Sequence, residues 1–161
     1  MTRAAIGLGG NLGDAATTLR EAFDALDALP ETRLLRVSRL YRTPAWGVTA
    51  QPDFINAVAV VETALAPLAL LEHLLAIERR FGRVRVDGER WGPRTLDLDL
   101  LLHGEARLDV PGLQLPHPRL HERAFALVPL VEAWPDAVIP GIGSAQACLD
   151  AMAGEGIEAL P

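Results

Sequence analysis

At 161 residues, half of them hydrophobic, the chain is long enough for one globular domain with a real core, leaving little room for a second. Its formal net charge is −6 and its fifteen basic residues are all arginine, which excludes a Walker A lysine and a Schiff-base lysine. No apolar run approaches the roughly 20 residues of a membrane helix. The first residues lead into a strand rather than a signal peptide, and the single cysteine, Cys148, excludes an internal disulfide and fits a reducing, cytoplasmic setting.

In chain order, residues 3–9 read as a buried strand that ends in the turn Gly9-Gly10-Asn11-Leu12-Gly13-Asp14, with Asp14 placed to cap a helix. Leu19, Ala22, Phe23 and Leu26 follow at i, i+3, i+4 and i+7, predicting an amphipathic helix to about Ala28, closed by Pro30. Leu34–Tyr41 and Phe54–Thr63 are strand-like, and Pro44, Gly47 and Pro52 punctuate the loop between them. A second helix is expected from Pro67 to Phe81, with proline at its start, where no amide donor is needed. Gly82–Pro93 is a loop rich in glycine and arginine, and Thr95–His103 is a strand. A short strand near Arg107–Val110, the segment Pro116-His117-Pro118-Arg119, and helices near Glu122–Glu132 and Ser144–Ala153 complete the chain. The order β-α-β-β-α-β is that of a ferredoxin-like sheet. The expected architecture is therefore α/β (α+β), with added C-terminal helices and three α-β-α layers, and residues 1–161 forming one domain.

The strand after the arginine loop holds the most informative pair. Alternation along a strand puts Thr95, Asp97, Asp99 and Leu101 on one side and Leu96, Leu98, Leu100 and Leu102 on the other. Two aspartates about 6.5–7 Å apart on one face repel, and aspartate is a poor strand former. Either that face meets water, or a hard cation such as Mg²⁺ offsets the repulsion. The charge distribution bears on the choice. Residues 79–94 hold six arginines against two acids, and the rest of the chain holds nine against nineteen. One compact basic segment in an acidic chain suits a small polyanion rather than a long nucleic acid, although a solvated charged loop has the same composition. Arginine forks bind phosphate oxygens and stay charged. Arg83, Arg85 and Arg94 beside Asp97 and Asp99 therefore have the equipment of phosphoryl transfer. Gly7-x-Gly9-x-x-Leu12 lacks the third glycine of a dinucleotide fingerprint, so these glycines read as a tight turn. By spacing alone, His117, Phe54, Asn56 and Phe125 read as structural residues.

Arg90-Trp-Gly-Pro-Arg94-Thr-Leu-Asp97-Leu-Asp99-Leu-Leu closely resembles the signature of the 6-hydroxymethyl-7,8-dihydropterin pyrophosphokinase family. The resemblance extends through Gly7-Leu-Gly-Gly-Asn-Leu-Gly-Asp14, Tyr41-Arg-Thr-Pro44, Gln51-Pro-Asp-Phe54-Ile-Asn56-Ala, Glu78, Gly82-Arg-Val-Arg85 and Pro116-His-Pro-Arg-Leu-His-Glu-Arg-Ala-Phe125. It implies a Mg²⁺-dependent enzyme of folate biosynthesis that moves pyrophosphate from ATP to the pterin hydroxymethyl oxygen and releases AMP. It further implies that Asp97 and Asp99 hold two Mg²⁺ ions along the ATP phosphates and act catalytically with Arg83, Arg85 and Arg94. Phe54 and Phe125 would sandwich the pterin, Asn56 would read its polar edge, and Thr43, Pro44 and Trp91 would complete that site. Glu78, Arg85, Trp91, Arg94, Leu98, His117 and Arg123 would form the ATP site. Four features depart from the pattern: Gly10 where serine is common, Phe54 where some members have tyrosine, Leu75 where some have glutamine, and one extra residue in loop 86–89.

The expected partners are the two small-molecule substrates, with no nucleic acid, no membrane and a monomeric state. Two other functions fit parts of the pattern. A palm-type nucleotidyltransferase also uses paired aspartates on such a sheet but releases pyrophosphate. A non-catalytic ligand-binding module of the same fold would leave the aspartates and arginine loop without a role.

Overall fold

A computed structural model of the chain describes residues 1–44, 52–82, 95–152 and 156–161. The described elements are β1 (Thr2–Gly10), α1 (Ala15–Asp27), β2 (Thr32–Val37), β3 (Tyr41–Thr43), β4 (Phe54–Thr63), α2 (Pro67–Arg80), β5 (Asp97–His103), β6 (Leu108–Val110) and β7 (Leu113–Leu115). A 3₁₀ turn at Leu120–Glu122 then leads into α3 (Ala124–Ala133), β8 (Val138–Ile139), β9 (Gly143–Ser144), α4 (Ala145–Asp150) and β10 (Glu158–Ala159).

The main sheet has the order β10-β3-β4-β1-β5, with β2 also paired to β4, and every pairing is antiparallel. β4 is central because it reads Phe-Ile-Asn-Ala-Val-Ala-Val-Val-Glu-Thr, an almost uninterrupted apolar run that needs cover on both faces. One face packs on α1 and α2. There Ala57, Ala59 and Val61 meet Leu19, Leu26, Leu70, Leu74 and Ile77, with Ile6 and Leu100 from the neighbouring strands. The other face packs on α3 and α4, where Ala5, Val58 and Val60 meet Leu127, Leu130 and Ala145. The helices thus flank the sheet on both sides. Among the described residues no helix is long and apolar enough to cross a membrane.

The predicted capping holds. Asp14 accepts hydrogen bonds from the Thr17 backbone N–H (3.1 Å) and hydroxyl (2.7 Å), and Pro67 opens α2. Those two bonds keep the Asp14 carboxyl below its ordinary pKa.

Five details differ from the sequence expectations. The strand expected over Leu34–Tyr41 is broken. One register shift falls between Leu34 and Arg36, and the Ser38 hydroxyl then accepts the Val58 N–H at 2.9 Å in place of a backbone carbonyl. β1 runs on through Gly10, so Gly7, Gly9 and Gly10 are strand residues and the turn starts at Asn11. Strict alternation fails in β5, because a bulge pairs Ala5 with Leu102 but Ile6 with Leu100. The extra residue turns both Leu101 and Leu102 toward α3. The strand near Arg107–Val110 starts at Leu108 and forms a separate hairpin with β7. The helix expected over Glu122–Glu132 starts as a 3₁₀ turn and becomes α-helical at Ala124, while the last helix spans Ala145–Asp150 with Ser144 as its cap.

Candidate active site

One end of the sheet, on the face that α3 crosses, gathers the candidate residues. The register places Asn56 of β4, Gly9 of β1 and Asp97 of β5 in one row, and Val58, Gly7 and Asp99 in the next. With neighbouring strands about 4.8 Å apart, Asn56 and Asp97 stand roughly 10 Å from each other. Gly9 lies between them and presents no side chain. Asp97 is half-buried and Asp99 exposed. The polar face predicted for these two aspartates is the face that carries Asn56.

On the far side of Asn56, β3 contributes Thr43, which is buried. The Asn56 side-chain amide donates to the Thr43 hydroxyl at 2.9 Å, which fixes how Asn56 presents its carbonyl oxygen. Phe54 pairs with Thr43 across the ladder and is half-buried at the mouth of this end. Pro44 is exposed just beyond β3. The turn after β1 is tied to the same region by Asn11, whose side-chain amide donates to the Pro52 carbonyl at 3.2 Å.

The aspartate strand is held from its outer edge. Glu78, in the last turn of α2, is 4% exposed, and its carboxylate accepts the Leu98 N–H at 2.7 Å. Leu98 lies between the two aspartates and points to the opposite core, so this bond anchors the backbone carrying both carboxylates. A groove along the same edge is lined by Leu71, Leu98, Asp99, Gln114, His117 and Pro118.

His117 is joined to β5 by its N–H, which donates to the Leu101 carbonyl at 3.0 Å, and its Nδ1 accepts the Arg119 N–H at 3.3 Å. Burial lowers the His117 pKa below the ordinary 6.5. The nearby Asp99 carboxylate pulls it up, and the Arg123 guanidinium pushes it down again. Net, the imidazole is neutral at pH 7. Arg123 sits immediately before α3, with its guanidinium carbon 5.6 Å from the Phe125 ring centre, a cation–π distance. Phe125 is half-buried in the first turn of α3.

Two carboxylates on one accessible face are a donor set for Mg²⁺, which typically takes one or two protein carboxylates and completes its shell with water and substrate phosphates. Among the described residues no group of three or more His, Cys, Asp or Glu side chains could enclose a metal. Asp97 and Asp99, with positions left open for water and phosphate oxygens, fit Mg²⁺ as a bound ion. Arg83, Arg85, Trp91 and Arg94 lie outside the described residues, as does all but Gly82 of the loop predicted over Gly82–Pro93.

The model of the family 7,8-dihydro-6-hydroxymethylpterin-pyrophosphokinase matches residues 5–135. The chain belongs to this family. Within it, the chain is 48% identical over 159 residues to the 2-amino-4-hydroxy-6-hydroxymethyldihydropteridine pyrophosphokinase of Pseudomonas aeruginosa, covering 99% of this chain and 97% of that one. It is 49% identical over 141 residues to the Methylorubrum extorquens protein of the same name, covering 88% of each chain. Among solved structures, the Plasmodium falciparum HPPK-DHPS chain crystallised with pteroate has the same fold, at a TM-score of 0.73 and 13% identity. That match covers 93% of this chain and 42% of the Plasmodium chain. The pyrophosphokinase resemblance read from the sequence is therefore correct as to family.

Sequence reading attached no site role to Gly7, Gly9 or Asn11, and it did not link Tyr41 to Glu132. Gly7 and Gly9 were read as turn residues, although glycines alternating within a strand signal a close approach on one face. Asn11 falls within the family-resembling run Gly7–Asp14, which gave it no separate role. Tyr41 and Glu132, hydrogen-bonded at 2.6 Å, are 91 residues apart in the chain, and no local pattern links them.

Proposed function

We propose that the chain transfers the pyrophosphoryl group of ATP to the hydroxymethyl oxygen of 6-hydroxymethyl-7,8-dihydropterin, giving the pterin diphosphate and AMP in folate biosynthesis. The observation that carries this reading is Asp97 and Asp99 on the same face as Asn56 and one strand beyond Gly9, in a chain of the pyrophosphokinase family. In this reading Asp97 and Asp99 would hold Mg²⁺, as two ions, which would supply charge neutralisation for the ATP phosphates. The pterin lies toward Asn56 and Thr43, with Phe54 and Phe125 as its stacking walls and Pro44 and Trp91 at its rim. Offset stacking on flat rings is worth about 0.5–1.5 kcal/mol beyond burial.

ATP lies along the β5 edge and the groove by Leu98 and His117. Glu78 holds the strand from behind, and Arg123, Arg83, Arg85 and Arg94 supply fixed positive charge for the phosphates. The neutral imidazole of His117 offers a hydrogen bond rather than a charge, because its Nδ1 already accepts from Arg119. The pterin oxygen forms the new bond to the β-phosphorus, the bond to the bridging oxygen of AMP breaks, and the hydroxyl proton passes to solvent. Alignment and charge neutralisation then carry most of the rate enhancement.

The strand order β3-β4-β1-β5, with α1 and α2 in the two crossovers, supports reading the sheet as ferredoxin-like. We take residues 1–161 as one catalytic domain acting as a cytoplasmic monomer with no nucleic-acid partner. One assay tests the reaction. Incubation with Mg²⁺, ATP and the hydroxymethyl-dihydropterin is expected to yield AMP and the pterin diphosphate in equal amounts. Release of pyrophosphate instead would point to nucleotidyl transfer, and no ATP consumption would point to a binding module.

A further inference from the structure

The charged cluster at the far end of α3 is not used by the reaction as described. The Glu132 carboxylate accepts the Tyr41 hydroxyl at 2.6 Å and the Arg39 guanidinium at 2.8 Å, and its other oxygen accepts the Arg39 backbone N–H. The Arg39 guanidinium carbon also lies 5.7 Å from the Tyr41 ring centre. These contacts join the last full turn of α3 to the start of β3.

We propose that Glu132 is a positioning residue for the pterin site, acting through Tyr41 on one side and through α3 on the other. Three geometric facts carry this. Tyr41 pairs with Asn56 in the β3–β4 register, and β3 carries Thr43, the hydrogen-bond partner of Asn56. Phe125 and Glu132 are seven residues apart in one helix, so they share a face two turns, or about 10 Å, from each other. At its other end α3 starts from Arg123, which shares the neighbourhood of His117 with Asp99. The helix therefore spans the face from the aspartate side to β3. Fixing Glu132 on Tyr41 ties the last turn of α3 to the strand residue that pairs with Asn56, and the first turn of the same helix carries Phe125.

A three-residue strand at this end needs such a tie. β3 is otherwise held by its ladder to β4 and by two residues of β10. Without the Glu132 bond its Tyr41 hydroxyl, and the Arg39 N–H beside it, would need new partners.

The inference rests on the pterin assignment of Phe54, Asn56 and Phe125, and the test separates the two. Full-length wild type, Glu132→Gln, Tyr41→Phe, Phe125→Ala and the Glu132→Gln/Phe125→Ala double variant are compared. Affinity for 6-hydroxymethyl-7,8-dihydropterin is measured in the presence of a non-hydrolysable ATP analogue, affinity for that analogue is measured alone, and turnover and melting are recorded. The expected result is that Glu132→Gln weakens pterin binding about tenfold, equivalent to ~1.4 kcal/mol, with analogue affinity and saturated turnover within about twofold of wild type. Tyr41→Phe is expected to go in the same direction. In the Phe125→Ala background, Glu132→Gln is expected to add little, because the two act through one contact. A folded Glu132→Gln protein with unchanged pterin affinity would overturn the inference. So would full additivity with Phe125→Ala, or equal weakening of both ligands. If Phe125→Ala itself leaves pterin affinity intact, the assignment of the pterin walls fails instead.

Discussion

Gly9 stands directly opposite Asn56 in the β1–β4 ladder, and a Cβ on Gly9 would meet the Asn56 Oδ1 at 2.9 Å. Real Cβ contacts are not that short, so the Asn56 amide occupies its place only because residue 9 has no side chain. On the other side, Gly9 pairs with Asp97. The glycine keeps open the floor between Asn56 and Asp97.

Gly9→Ala is therefore expected to push the Asn56 side chain off the Thr43 hydroxyl and weaken pterin binding about tenfold or more, equivalent to at least ~1.4 kcal/mol. The accompanying overpacking costs about 1–3 kcal/mol of stability. ATP affinity should change little. Titration of each ligand with the folded variant checks this, and an unaltered pterin affinity would remove Gly9 from the site.

Asp97→Ala is expected to lower pyrophosphoryl transfer by at least about 100-fold, since the charge that positions the metal–phosphate assembly is lost. Asp99→Asn should act in the same direction. Asp99 is exposed, so its replacement should shift stability by no more than about 0.5 kcal/mol, or roughly 1–2 °C in melting temperature. Near-normal turnover in either variant would sink the metal assignment.

Glu78→Ala removes the acceptor for the Leu98 N–H in a buried setting. The expected cost is about 1–3 kcal/mol, with each kcal/mol lowering the melting temperature by about 2–4 °C in a chain of this size. Glu78→Gln keeps an acceptor oxygen and should recover much of that stability. Thermal melting of the two variants separates the acceptor from the charge: equal losses would mean that the negative charge matters more than the bond to Leu98.

The Glu132 carboxyl gives a pH signature. Burial alone would raise its pKa, but the hydrogen bonds from Tyr41, the Arg39 N–H and the Arg39 side chain outweigh it and hold the value below the ordinary 4.5. An acid with a depressed folded pKa contributes stability that is present above its unfolded value and lost as pH falls through the folded one. Wild type should thus be more stable than Glu132→Gln above about pH 4.5, with the gap closing in more acidic solution. Denaturant unfolding across pH 3–7 measures it, and a gap independent of pH would mean the clasp does not depend on ionised Glu132.

The elements that follow from local chemistry were legible in the sequence. Leu19, Ala22, Phe23 and Leu26 marked α1, and all four are buried as the helical period requires. Asp14 and Pro67 marked two helix starts. The alternation from Asp97 to Leu100 put both carboxylates on one face. Beyond the bulge at Leu101 the same rule failed, because a register shift depends on the partner strand and leaves no mark in the strand's own sequence. The break at Ser38 is similar: a hydroxyl that accepts an N–H of β4 has no signature within residues 34–41.

What the sequence determined by itself was the family, through the run from Arg90 to Leu101, and the placing of two carboxylates on one face, a donor set that suits Mg²⁺ and phosphate. The tertiary structure decided which residues share the site with Asp97 and Asp99. Pairing of β1 with both β4 and β5 brought Asn56, Gly9 and Asp97 into one row, and the crossing of α3 joined Glu132 to Tyr41 over a separation of 91 residues. Period and capping act within a few residues of a chain. Register and helix docking are set by surfaces that meet only once the chain has folded.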